Sequence, residues 1–146
     1  MTSPLERLAG PGKSLSPEPS DIKEFTGLKR SGLARLKDAG NPSNSLEGRF
    51  DLAYNAAHAL CLAALRYQGF RANNRYIVFQ VLPHTLGLGP EVWRVLAKGH
   101  EVRNLGEYEG NLDINERIVV DLIAACNAVV AKLDALTALG STRQGS

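Results

Sequence analysis

Apolar residues recur at helical intervals through most of this 146-residue chain. Ile22, Phe25, Leu28, Leu33, Leu36 and Ala39 keep the spacing of one helix face, with Asp21 placed to cap the start and Gly40 to stop the end. Gly27 and Gly32 each cost such a helix about 1 kcal/mol relative to alanine, so packing has to hold it. After Asn41-Pro42-Ser43-Asn44, the residues Leu46, Phe50, Ala53, Ala57, Leu60 and Ala64 step by four and three in turn, which predicts a helix buried along a seam and ending near Gly69. The stretch from Arg75 to Leu82 is rich in strand formers, yet a lone strand leaves its backbone groups unpaired, so a helix is predicted there. Pro83 bends or ends it, and Gly87-Leu88-Gly89 is a break. Pro90 suits the first position of a further helix, with Glu91 at its positive end and Val92, Leu96, Gly99 and Val102 on its inner face. Beyond Glu109-Gly110-Asn111, Asp113 and Glu116 have the spacing of a capping box. They open a last helix carrying Ile118, Leu122, Ala125, Val129, Leu133 and Leu136. The fold class expected is all-α, an antiparallel bundle of about five helices.

Residues 1–20 hold four of the seven prolines and few large apolar groups, and are expected to be a flexible arm. Residues 140–146 read as a flexible tail, which leaves 21–139 as one helical domain. Hydrophobic residues at 44% and charged residues at 22% fit an ordinary globular core, and no internal repeat is present. The longest apolar run, 56–65, falls short of the roughly 18 to 20 residues that span a bilayer and contains His58. No charged segment leads into an apolar core and cleavage site, so no membrane partner and a cytoplasmic location are expected. Cys61 and Cys126 make no disulfide framework and read as small core residues.

A formal net charge of +2 excludes a dedicated nucleic-acid coat. The charge is unevenly spread. Between Arg66 and Arg103 six basic side chains, among them Arg66, Arg71, Arg94 and Lys98, face two acidic ones, a local +4; between Leu105 and Leu139 two basic meet six acidic, a local −4. The first stretch is either a phosphate-binding patch or an ordinary solvated helix surface. Gly12-Lys13-Ser14 lacks the preceding glycine and strand of a phosphate loop, and Gly87-Leu88-Gly89 is half of a dinucleotide fingerprint better explained as a turn. His58, His84 and His100 have neither paired spacing nor cysteine company, so no metal is expected.

The informative segment is Arg103-Asn104-Leu105-Gly106-Glu107-Tyr108. A planar guanidinium, an amide and a phenol lie close together at a helix end, a set that can hold a phosphate or merely cap the helix.

Taken in order, the segment 45–69 (SLEGRFDLAYNAAHALCLAALRYQG) with its Tyr54 and His58, the following Phe70-Arg71, and Arg103-Asn104-x-x-x-Tyr108 before an Asp-Ile-x-Glu helix start resemble the HEPN superfamily of small helical domains. The resemblance spans about residues 21–136. It implies a homodimer whose two Arg-Asn elements face one cleft. It also implies a component of a toxin–antitoxin or phage-defence system, acting as a metal-independent endoribonuclease with no cofactor and paired with an antitoxin or a nucleotidyltransferase. The catalytic set would be Arg103, Asn104 and Tyr108. Tyr54, His58, Arg66, Arg71, Lys98 and His100 would bind substrate RNA or nucleotide. Relatives of the nuclease type carry a histidine four to six residues after the arginine, whereas here Tyr108 stands in that region and no histidine follows. A phenol with a pKa near 10 is a poor unaided base. Arg94 and His100 lie six helical steps apart, about 120° around the axis, and are read as unrelated. Two readings stay open: a nuclease using Tyr108 or His100 for proton transfer, or a degenerate relative that binds RNA or a nucleotide or serves as a nucleotidyltransferase partner. In the second reading Tyr108 is a hydroxyl available for modification.

Overall fold

The computed structural model of the chain describes residues 3–109 and 114–144, with the side chains of 105–109 and 137–144 outside the described set. It is all-α in character. Among the described residues four long helices carry the fold: α2 (Ile22–Ala39), α3 (Leu46–Tyr67), α6 (Pro90–Glu109) and α7 (Glu116–Gln144). Three single turns, α1 (Pro4–Arg7), α4 (Ile77–Gln80) and α5 (Leu82–Thr85), and two short strands, β1 (Leu15–Pro17) and β2 (Phe70–Ala72), complete it. No helix among the described residues is long and apolar enough to cross a membrane.

The helix starts follow local chemistry. Asp21 accepts from the backbone N–H of Lys23 at 2.9 Å and caps α2, and Ser45 accepts from Gly48 at 3.0 Å and caps α3. The last helix begins two residues later than the expected box would place it. Asn115 accepts from the N–H of Ile118 at 2.9 Å and is the cap, while Asp113 lies outside the described residues.

Helix α3 is the centre of the molecule. Phe50, Ala53, Ala57, Leu60 and Ala64 are buried as the periodicity predicts, but so are Tyr54, Ala56, Cys61, Ala63 and Leu65, because neighbours cover more than one face. Across α2 and α3 the contacts run in opposite order: Arg49 donates to the Ala39 carbonyl, Gly32 meets Leu60, and Arg66 meets Glu24. These two helices are therefore antiparallel. A β-carbon at Gly32 would sit 2.6 Å from Leu60 Cγ, so the glycine that weakens α2 is what lets it approach α3. Across α3 and α7 the partners instead rise together, from Arg49 with Glu116 to Tyr67 with the Leu136 carbonyl. That pair is parallel, which the crossing segment between them permits.

Three expectations are corrected. The predicted helix from Arg75 to Leu82 is helical but breaks at Val81 into α4 and α5, the second opening on Leu82-Pro83. Residues 3–20 are not a loose arm: Leu5 and Leu15 are buried, and β1 pairs antiparallel with β2 through Leu15 with Ala72, Ser16 with Arg71 and Pro17 with Phe70. The turn into β2 is made by Gly69, whose φ of 91° suits glycine and whose carbonyl accepts from the Glu18 N–H. At the other end α7 runs on to Gln144, through the span read as a tail, since Gly140 weakens a helix without ending it.

Candidate functional site

Five of the residues singled out in the sequence meet where α3 crosses α6. On α3, Tyr54 and His58 are one turn apart and share a face; on α6, His100, Arg103 and Asn104 do the same. The Tyr54 ring is buried, and its hydroxyl lies 2.8 Å from His100 Nδ1. On the other side of the imidazole, Asn104 Nδ2 lies 3.0 Å from Nε2. Tyr54, His100 and Asn104 thus form one hydrogen-bonded chain through both ring nitrogens, whose direction follows from which nitrogen carries the proton. Arg103 packs its guanidinium over the Tyr54 ring, 4.8 Å from the centroid. One buried tyrosine therefore orients both the imidazole and the guanidinium. The rings of Phe79 and Tyr76 complete the support, at 6.3 and 5.1 Å from His100.

His58 borders the same cluster, edge-on to Phe79. Burial pushes its pKa from the ordinary 6.5 down to about 4, and the positive charges of Arg75 and Arg103 act in the same direction. The unfolded chain therefore binds more protons than the folded one between about pH 4 and 6.5. Stability is full above that window, falls as the pH drops through it, and levels off below. The whole shift corresponds to about 3 kcal/mol, and about half of that after solvent screening at a ring that is not fully buried. Urea unfolding followed from pH 7 to 4.5 is expected to show this slope, and His58→Gln to flatten it.

Beside the cluster opens a cavity of about 630 Å³, within the size range of small-ligand sites. His100 and Asn104 form one part of its lining; Tyr76, Trp93, Arg94, Lys98 and Glu101 form much of the rest. Lys98 is exposed at the wall, 4.0 Å from Glu101. Arg94 and His100, about 120° apart around the helix, both line this cavity.

Arg66 and Arg71 lie elsewhere, and their assignment to substrate is corrected. Arg66 is 1% exposed. Its guanidinium donates to the carbonyls of Glu18 at 3.0 Å, Pro19 at 2.7 Å and Phe70 at 3.2 Å, and is bonded to the Glu24 carboxylate. Arg71 donates to Glu18 at 2.6 Å and to Glu24 at 2.8 Å. Hydrogen bonds from Arg71 are the largest influence holding both carboxyls below their usual range. These arginines tie residues 18–24 to the end of α3, and in Arg66 the bonds engage all three guanidinium nitrogens.

The side chain of Tyr108 lies outside the described residues, although its backbone belongs to α6. Among the described residues no group of three or more His, Cys, Asp or Glu side chains is placed to hold a metal ion. Both cysteines are buried, and burial raises their thiol pKa values. Sequence reasoning missed Tyr76, Trp93 and Glu101, and placed Arg94 only within the basic stretch. The signal for part of the set was present, since Trp93, Ala97, His100 and Asn104 recur on one helical stripe.

The fold and site together define a helical-bundle protein with a His-Arg-Asn-Tyr cluster opening on a cationic, aromatic cavity. Comparison with family models, curated proteins and solved structures gives no match.

Proposed function

We propose that the protein is an RNA-directed HEPN-like component of a toxin–antitoxin or phage-defence system, an endoribonuclease working as a homodimer in the cytoplasm. The observation that carries this reading is the imidazole of His100, held between Tyr54 and Asn104 with Arg103 one turn further along. The chemistry such a set supports is transesterification within RNA. His100 Nε2, released by the exposed Asn104, takes the proton of a 2′-hydroxyl. The 2′-oxygen then bonds to the adjacent phosphorus, and the bond from phosphorus to the 5′-oxygen breaks. Arg103 stabilises charge gathering on the non-bridging oxygens, and a second copy across the dimer cleft supplies the acid that protonates the leaving 5′-oxygen. The products are a 2′,3′-cyclic phosphate and a free 5′-hydroxyl.

A second reading has its own support, because both ring nitrogens of His100 are engaged. In it the cluster binds RNA or a nucleotide without cutting it, and the partner is a nucleotidyltransferase or an antitoxin. Arg103→Ala separates the two. Under the first reading it lowers cleavage by about 100-fold or more with the dimer intact; under the second, wild type does not cleave and the variant only binds RNA more weakly.

A further inference from the structure

The cavity beside His100 has walls of a kind that the cleavage chemistry does not require. Trp93, in the first turn of α6, and Tyr76, just before α4, are both partly exposed and both line it. Protein interiors usually bury such rings, whereas a cavity that presents two of them beside cations suits flat, electron-rich heterocycles. Arg94 lies with its guanidinium 5.7 Å from the Trp93 ring centroid, and Lys98 stands one turn along. These cations favour a ligand that also carries phosphate. The lining includes one carboxylate, Glu101, whose ion pair with Lys98 is long at 4.0 Å and well exposed. Such a pair contributes little, so the carboxylate is available to another donor at small cost.

We propose that this cavity is a nucleobase subsite that takes an unpaired guanine, stacked on the Tyr76 and Trp93 side and read by Glu101. An ionised carboxylate only accepts hydrogen bonds, and it has two oxygens. Of the four RNA bases, guanine alone offers a ring N–H next to an exocyclic amino group, two parallel donors for those two oxygens. Adenine and cytosine offer one amino group beside an acceptor, and uracil one N–H between two carbonyls. A guanosine held there has its phosphate within the region of His100 and Asn104, which belong to both the cavity and the cluster. The subsite deepens the RNA-directed reading and rests on it, yet it can be tested without any cleavage.

Trp93 is the single tryptophan of the chain, so its fluorescence reports on the cavity directly. The full-length protein is titrated with the 3′-monophosphates of guanosine, adenosine, cytidine and uridine, and with ribose 5-phosphate. Guanosine monophosphate is expected to quench saturably and to bind at least about 10-fold more tightly than the other three, the equivalent of about 1.4 kcal/mol. Ribose 5-phosphate should leave the emission unchanged. Glu101→Gln, on an exposed surface where misfolding is not expected, should bring guanosine down to the level of adenosine. Tyr76→Leu should weaken all four. Equal affinity for the four nucleotides, or no saturable quenching by any, overturns the assignment. Guanosine binding by a protein that never cleaves RNA upholds the subsite and removes the nuclease reading; cleavage with no guanosine preference does the reverse.

Discussion

Arg66→Met is expected to lower the unfolding free energy by about 3 kcal/mol or more. The reason is accounting of hydrogen bonds rather than charge alone. The Arg66 side chain is 2% exposed and satisfies three main-chain carbonyls as well as the Glu24 carboxylate. Methionine fills the volume but donates nothing, so the part-buried carbonyls of Glu18, Pro19 and Phe70 lose this donor. The strand pair of β1 and β2 and the start of α2 loosen together. Arg66→Lys does not rescue, because a single ammonium cannot reach the same spread of acceptors. Arg71→Ala is the contrasting case. Its side chain is 39% exposed and pairs at the rim, so its loss costs about 1 kcal/mol or less. Urea unfolding of the three variants at pH 7 checks the order, and equal losses at positions 66 and 71 would contradict it. Glu18 and Glu24 have lowered pKa values, so their stabilising pairs persist above the ordinary carboxylate range and are lost as the pH falls through the lowered values.

His100→Gln is expected to reduce RNA cleavage by between about 100- and 10,000-fold while the fold persists. Glutamine can keep one hydrogen bond to Tyr54 or Asn104, but it cannot take or give a proton near neutral pH. His100 is partly exposed at a cavity wall, so the change leaves no sizeable void. Loss of activity with an unchanged urea midpoint would separate the chemical role from a structural one. Retained activity would transfer the proton-moving role to another group, Tyr108 or His58.

Much of this was legible in the sequence, for reasons that differ from element to element. The periodic apolar positions of α2, α3, α6 and α7 mark those helices because each buries a face, and burial is what the pattern records. The packed N-terminal segment was not legible. Its contribution rests on two leucines, Leu5 and Leu15, and on main-chain pairing with β2, neither of which leaves a periodic trace. Arg66 was misread for a related reason: in sequence a basic residue near a helix end looks the same whether it meets a phosphate or a carboxylate more than forty positions upstream.

At the site, Arg103 and Asn104 stand out in the sequence as a polar cluster near a helix end, while Tyr54, His58 and His100 enter only through the family resemblance. That these residues meet, and that Tyr54 bonds His100 while carrying Arg103, depends on how α3 crosses α6, which no local pattern encodes. Histidine was sought after the arginine in sequence. It stands one turn before it, and on a helix that order places the two groups equally close.

The most direct test of RNA-cleaving activity at this cluster is incubation of a single-stranded RNA containing guanosine with the purified protein in the presence of a chelator, with the product ends identified. Fragments ending in 2′,3′-cyclic phosphate and beginning with 5′-hydroxyl, formed by wild type and absent with His100→Gln, are the expected result. Intact RNA with wild-type protein that is shown to be folded and dimeric would contradict it.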